Sequence, residues 1–258
     1  MRRTSASGCG GFRALLRSAA IVPPARSRMR SSKWQALGNV YLLVERAELS
    51  SDEARAAARG TDGIVQVVAT GPDWADVVIW NPDGSTAEMS GNGTRIAARW
   101  LADRTSSDRV SIRVGGREVA ARMLGDGTVE QALGAVEVGA PERVDGIEVV
   151  AVSVGNPHAV VRGDPDEIDQ IGPLLETHER FPDRTNVQVV RIDGPGEVTA
   201  RVWERGVGET QASGTSAVAI AAATHGDGEV VVHFPGGDLR VRLAGGQAYL
   251  TGPAERIS

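Results

Sequence analysis

The feature that most constrains this chain is a repeat. Gly38-Asn39 is answered by Gly155-Asn156, 117 positions on (38 to 155), and Ser90-Gly91 by Ser213-Gly214, 123 on (90 to 213). Between these, Thr61-Asp62 is answered by Thr185-Asn186, 124 on (61 to 185), and Asn81 by Glu204, 123 on (81 to 204). A unit this long is no solenoid turn, and two copies are too few for a propeller. The repeat predicts two like halves packed on one another, with a site between them receiving the same landmarks from both sides.

From Lys33 onward, short apolar runs alternate with glycine-rich turns, and Val40–Val44, Ile64–Val68, Ala75–Trp80 and Glu197–Trp203 read as strands. Helices are fewer. Ser51 is placed to cap one running to Arg59, with Asp52 and Glu53 in its positive first turn. Pro165 to Glu179 reads as a second, with Ile168, Ile171, Leu174 and Leu175 apolar. Two more follow Gly91 and Gly214, and the run Ala217–Ala223 is apolar all round, which predicts burial on every side. The expected fold class is α+β: two pseudo-symmetric domains, each a curved, mostly antiparallel or mixed sheet wrapped around a central helix. The halves are placed at 30–145 and 146–258, with the last residues as candidates to return to the first domain.

Composition narrows the function classes. At 258 residues and 41% hydrophobic content, each half can hold a core of its own. A net charge of -5 without a basic stripe gives no electrostatic reason for a nucleic-acid partner. No apolar run approaches the ~18 residues of a membrane span. Cys9 is the single cysteine, so neither an intrachain disulfide nor a thiolate metal cluster is expected, and a reducing cytoplasm is the default compartment. Residues 1–28 carry Arg2, Arg3, Arg13, Arg17, Arg26 and Arg28, no acid, and Pro23-Pro24. They read as a leader outside the fold: a disordered extension, a start assigned upstream of Met29, or an organelle-type targeting segment.

The chemistry concentrates at the two helix starts. In Glu88-Met89-Ser90-Gly91-Asn92-Gly93 and Gln211-Ala212-Ser213-Gly214-Thr215, small residues leave backbone N–H groups open at a positive helix end. Serine is a common cap, and one copy alone would be read as a cap only. Two copies at matched positions point to an anion held from both sides.

The motifs Leu37-Gly38-Asn39, Asn81-Pro82-Asp83-Gly84-Ser85, Gly91-Asn92-Gly93-Thr94-Arg95, Gly155-Asn156-Pro157-His158, Arg184-Thr185-Asn186-Val187, Trp203-Glu204-Arg205-Gly206 and Phe234-Pro235-Gly236-Gly237 resemble the diaminopimelate epimerase family in order and spacing. The resemblance runs from about Lys33 to Glu255. It implies racemisation without a cofactor, one group taking the α-proton from one face while a second delivers a proton to the other. The reaction so implied interconverts LL- and meso-2,6-diaminopimelate, a lysine and cell-wall precursor. The resemblance places Asn39, Asn81, Asn156 and Asn186 as hydrogen-bonding partners of this small amino acid. Arg205 falls to its distal carboxylate, Glu204 to an ammonium, and the backbone of Gly91-Asn92 and Gly214-Thr215 to the α-carboxylate. No metal site is implied, and a homodimer is a candidate assembly.

One departure bears on activity. The family's two acid–base groups are cysteines, and Ser90 and Ser213 stand at both positions. A thiol at a helix N-terminus reaches its anion near neutral pH, whereas an alcohol needs a neighbouring base. His158, in the Gly-Asn-Pro-His motif, is the histidine that could approach the site; His178, His225 and His233 read as structural or exposed. Smaller departures are Val40 where the family has an aspartate, a short loop before Thr61, and an early end after Gly252-Pro253-Ala254. Three readings stand open: an epimerase working weakly or through activated serines, a related isomerase or dehydratase needing one proton shuttle, and a non-catalytic binding protein.

Overall fold

The structure, a computed structural model, describes residues 30–258; the expectation of a leader at 1–28 falls outside them. The first half runs β1 (Arg30–Ala36), β2 (Asn39–Glu45), α1 (Ser51–Ala57), β3 (Gly63–Thr70), β4 (Trp74–Trp80), β5 (Thr86–Ala87), α2 (Gly91–Thr105), β6 (Arg109–Val114), β7 (Arg117–Met123) and β8 (Thr128–Ala135). Two short strands follow, β9 (Glu137–Val138) and β10 (Glu142–Val144). The second half then repeats the first: β11 (Ile147–Ser153), β12 (Pro157–Arg162), α3 (Ile168–Glu176), β13 (Asn186–Gly194), β14 (Glu197–Glu204), β15 (Gly208–Thr210), α4 (Gly214–Thr224), β16 (Gly228–Phe234), β17 (Gly237–Ala244) and β18 (Gln247–Pro253), closed by β19 (Glu255–Arg256). The pairing repeats too. β2 is parallel to β3 and β12 to β13; β4 is parallel to β6 and β14 to β16. Hairpins supply most of the rest, so each half is the mixed sheet around a helix that the sequence predicts.

The predicted strand runs fall inside β2, β3, β4 and β14. Two helix bounds shift. Ser50, not Ser51, caps α1: its hydroxyl accepts from Glu53 N–H while the Glu53 carboxylate accepts from Ser50 N–H at 3.0 Å, a reciprocal pair that satisfies two open donors. The Ser51 hydroxyl instead donates to Gly84 O at 2.7 Å, and the helix ends at Ala57, short of Arg59. The segment from Pro165 opens with one 3-10 turn, Pro165–Glu167, and its α-helix stops at Glu176, three residues before the predicted end. There Thr185 N–H takes the Glu176 carbonyl, turning the chain away.

At the expected boundary, 145/146, the chain turns in a hairpin. Asp145 (φ 49) and Gly146 (φ 84) form a two-residue turn joining β10 to β11, and Asp-Gly suits such a turn because both positions take positive φ. β9 also pairs with β11, Val138 opposite Val152. In the other direction β19 pairs with β1, Trp34 opposite Arg256. Between the halves β8 pairs antiparallel with β18 through seven registered residues, Thr128–Ala135 against Gln247–Pro253 with a bulge near Tyr249.

The helices α2 and α4 are central. Gly91–Ala98 and Gly214–Ala221 are buried without a solvent face; of the run expected to be buried on every side, Ala217–Ala221 are, while Ala222 and Ala223 are partly exposed. One apolar cluster spans both helices and both halves, from Trp34 and Leu101 to Ile220 and Leu250. Smaller clusters lie under α1 and α3. Among the described residues no helix is long and apolar enough to cross a membrane.

Candidate active site

The starts of α2 and α4 meet at the junction of the halves. Ser90 (φ -138, ψ 118) and Ser213 (φ -139, ψ 127) cap them with the same extended backbone. A side chain cannot fit between the helices: a Cβ on Gly91 would stand 2.9 Å from Gly214 Cα, and one on Gly214 would stand 3.0 Å from Gly91 Cα. Backbone therefore touches backbone, and both helix ends open into one cavity of about 600 Å³.

Every residue assigned from the sequence borders that cavity: Asn39, Asn81, Ser90, Gly91, Asn92, Asn156, Asn186, Glu204, Arg205, Ser213, Gly214 and Thr215. Their side chains differ in what they hold. Asn39 and Asn92 both donate to the carbonyl of Ala212, at 2.8 and 3.2 Å, bracing the residue before Ser213 from the opposite half. Asn186 donates to Pro157 O and accepts from Arg205 N–H at 3.0 Å. Asn81 donates to Ser85 Oγ at 2.9 Å. Asn156 sits between His158, whose Nε2–H donates to its Oδ1 at 2.9 Å, and the Thr215 hydroxyl at 3.4 Å. The asparagines thus shape the wall, with much of their hydrogen-bonding capacity committed to the protein itself.

The two serines face different neighbours. Ser90 Oγ accepts from Gly93 N–H at 3.1 Å and lies 3.3 Å from the Tyr41 hydroxyl. Burial and the nearby Glu204 charge push the Tyr41 pKa upward, so the phenol stays protonated and can donate. Ser213 makes no cap bond; its hydroxyl points to the Glu204 carboxylate at 3.5 Å, whose other oxygen accepts from Thr210 Oγ at 2.6 Å. Burial raises the Glu204 pKa, against the lowering effect of those two hydroxyls. Among the described residues, then, Ser213 has a carboxylate within reach and Ser90 has none.

Arg205 lines the cavity. Its guanidinium donates to Asp183 O at 3.2 Å. The turn beneath it is held by a residue the sequence did not single out, Glu176 on α3. The buried Glu176 carboxylate accepts from Gly206 N–H and Trp203 Nε1–H, each at 2.7 Å, and pairs with Arg184 at 2.6 Å. His158 does not line the cavity. It is 1% exposed, its Nδ1 accepts from Gln188 at 3.0 Å, and burial followed by the Arg205 charge lowers its pKa to about 3. It orients Asn156 as a neutral ring and is no base for either serine. Tyr41 was also missed; its only signal was its place two residues after Asn39, on the same face of β2.

Comparison with known proteins identifies the family. The sequence profile of the diaminopimelate epimerase family matches residues 31–144 and 150–257. Diaminopimelate epimerases from Pelotomaculum thermopropionicum and Desulforudis audaxviator are 34% and 36% identical to the chain, each aligned over 89% of it and 97% of their own length. Among solved structures, a predicted epimerase from Pseudomonas aeruginosa superposes with a TM-score of 0.74 at 18% identity, over 89% of this chain and 97% of that one. A hydroxyproline epimerase from Agrobacterium vitis gives 0.65 at 14% identity, over 89% of each chain. At those identities the structures share the fold.

Proposed function

Since the chain belongs to the diaminopimelate epimerase family, we propose that its cavity binds 2,6-diaminopimelate and moves a proton at the α-carbon without a cofactor, with Ser90 and Ser213 on opposite faces. The supporting observation is the pair of serine-capped helix ends meeting at Gly91 and Gly214 in one cavity. Backbone N–H groups of Gly91-Asn92 and Gly214-Thr215 take the α-carboxylate, where unpaired donors and two helix dipoles favour an anion. Arg205 takes the distal carboxylate through its planar fork, Glu204 an ammonium, and Asn39, Asn81, Asn156 and Asn186 shape the polar wall around the chain between them. An alcohol is a poor base at neutral pH, so turnover is slow with serine at both positions.

The test replaces both hydroxyls. Ser90→Cys with Ser213→Cys raises LL-to-meso epimerisation by several orders of magnitude, since each acid or base contributes roughly 100- to 10,000-fold. Either single change recovers far less, because inversion needs a donor and an acceptor on opposite faces. A double variant that binds diaminopimelate yet exchanges no α-proton with D2O would sink the epimerase reading.

A second reading has its own support. Glu204 lies 3.5 Å from Ser213, while Ser90 has only a protonated phenol. That asymmetry suits a one-sided proton shuttle, as in an isomerase or dehydratase, and inertness toward exchange would leave a binding protein. Deuterium exchange at the α-carbon of the unsubstituted protein separates the cases: inversion, exchange with retention or loss of water, or nothing.

A further inference from the structure

Arg95, one turn into α2 from Ser90, is fully buried at 0% exposure. Its Nε donates to Pro253 O at 3.2 Å, one Nη to Gly91 O at 3.3 Å and the other to Asn92 Oδ1 at 2.8 Å. All three acceptors are neutral. Among the described residues the single ionisable group that acts on it is Tyr41, which is itself protonated. Burial lowers the guanidinium pKa to about 10, so the charge persists at neutral pH. A buried cation without a counter-ion is costly, and natural proteins pair such charges as a rule.

Its position explains where a counter-ion belongs. The guanidinium bonds the Gly91 carbonyl and also reaches the second helix, since a Cβ on Gly214 would stand 3.4 Å from Nη1. One full charge therefore sits directly behind two helix N-termini, each with partial positive charge of its own. In front of them is the cavity wall that Gly91 and Gly214 form.

We propose that Arg95 is a positioning residue: its buried charge, placed behind the Gly91–Gly214 contact, draws a carboxylate of the ligand onto the two helix ends without touching it. The inference rests on the reading that the cavity takes a carboxylate there. It adds that α-carboxylate affinity comes from Arg95 and distal-carboxylate affinity from Arg205, two separable contributions.

Calorimetry with four probes tests it: malonate, an anion with no amine; lysine, with an α-carboxylate only; diaminopimelate; and 1,5-diaminopentane, the same diamine with neither carboxylate. Arg95→Gln keeps donors and loses charge, and it weakens malonate, lysine and diaminopimelate by about tenfold or more while leaving the diamine unchanged. Arg95→Lys keeps charge and loses the fork, and it stays within about threefold of the unsubstituted protein. Arg205→Lys weakens diaminopimelate and spares lysine. Undiminished carboxylate affinity in Arg95→Gln overturns the proposal, as does Arg95→Lys losing as much as Arg95→Gln, the mark of a purely structural fork. If Arg95→Gln does not fold, the lysine variant alone decides, by keeping or losing malonate. Arg95-dependent binding of malonate and lysine without diaminopimelate would refute the substrate reading and leave this inference standing. No anion binding by the unsubstituted protein would end the inference itself.

Discussion

His158 is held neutral by burial and by the charge of Arg205, and that sets a pH response. Its pKa falls from 6.5 to about 3 on folding. Between those values the unfolded chain binds a proton that the native one refuses, so stability is complete above pH 6.5 and is lost as pH falls toward 3. The contribution is on the order of a few kcal/mol. His158→Gln should flatten this slope in urea unfolding between pH 4 and 7; an unchanged slope would mean another group carries it. The sequence exposed His158 through its motif but not its role, because its partner Gln188 lies thirty residues away and one strand over. The same holds for the side chains of Asn39, expected on the ligand, and of Asn92, expected to meet the ligand through its backbone alone. Their partner, the Ala212 carbonyl, is a backbone atom in the other half, and no side-chain pattern announces it.

At the scale of elements, the two helix starts were legible because chemistry and repeat coincide there. Small residues after a capping serine are ordinary once and informative twice. Their contact makes a specific prediction. Gly91→Ala and Gly214→Ala each set a methyl group against backbone that cannot yield, at 2.9 and 3.0 Å. Each should destabilise by about 1–3 kcal/mol despite the better helix propensity of alanine, and should weaken carboxylate binding by spreading the two ends. Denaturant midpoints equal to that of the unsubstituted protein would show that the helices can part freely. Helix bounds were less legible. Ser50 has Glu53 three residues on to complete a reciprocal cap, while Ser51 has Ala54 there, and the Gly84 carbonyl engages Ser51 instead.

Across the whole molecule, the strand exchanges that join the halves were the hardest feature to read. β9 and β10 cross to the second half and β19 to the first, while β8 and β18 join the two sheets. Strands of two or three residues leave little periodic signal, and their register is fixed by the partner. The consequence is cooperative unfolding. Amide exchange in α2 and α4, followed through a urea series, should lose protection at one common midpoint; an earlier loss in either helix would show that the halves melt separately. At the Gly91–Gly214 contact the two copies of the repeat touch at matched positions, so a side chain added to either glycine meets the other copy's backbone. Away from that contact the copies differ, Tyr41 matching His158 and Asn81 matching Glu204. A chain built on one repeated pattern is therefore chemically two-sided around a seam that admits no side chain.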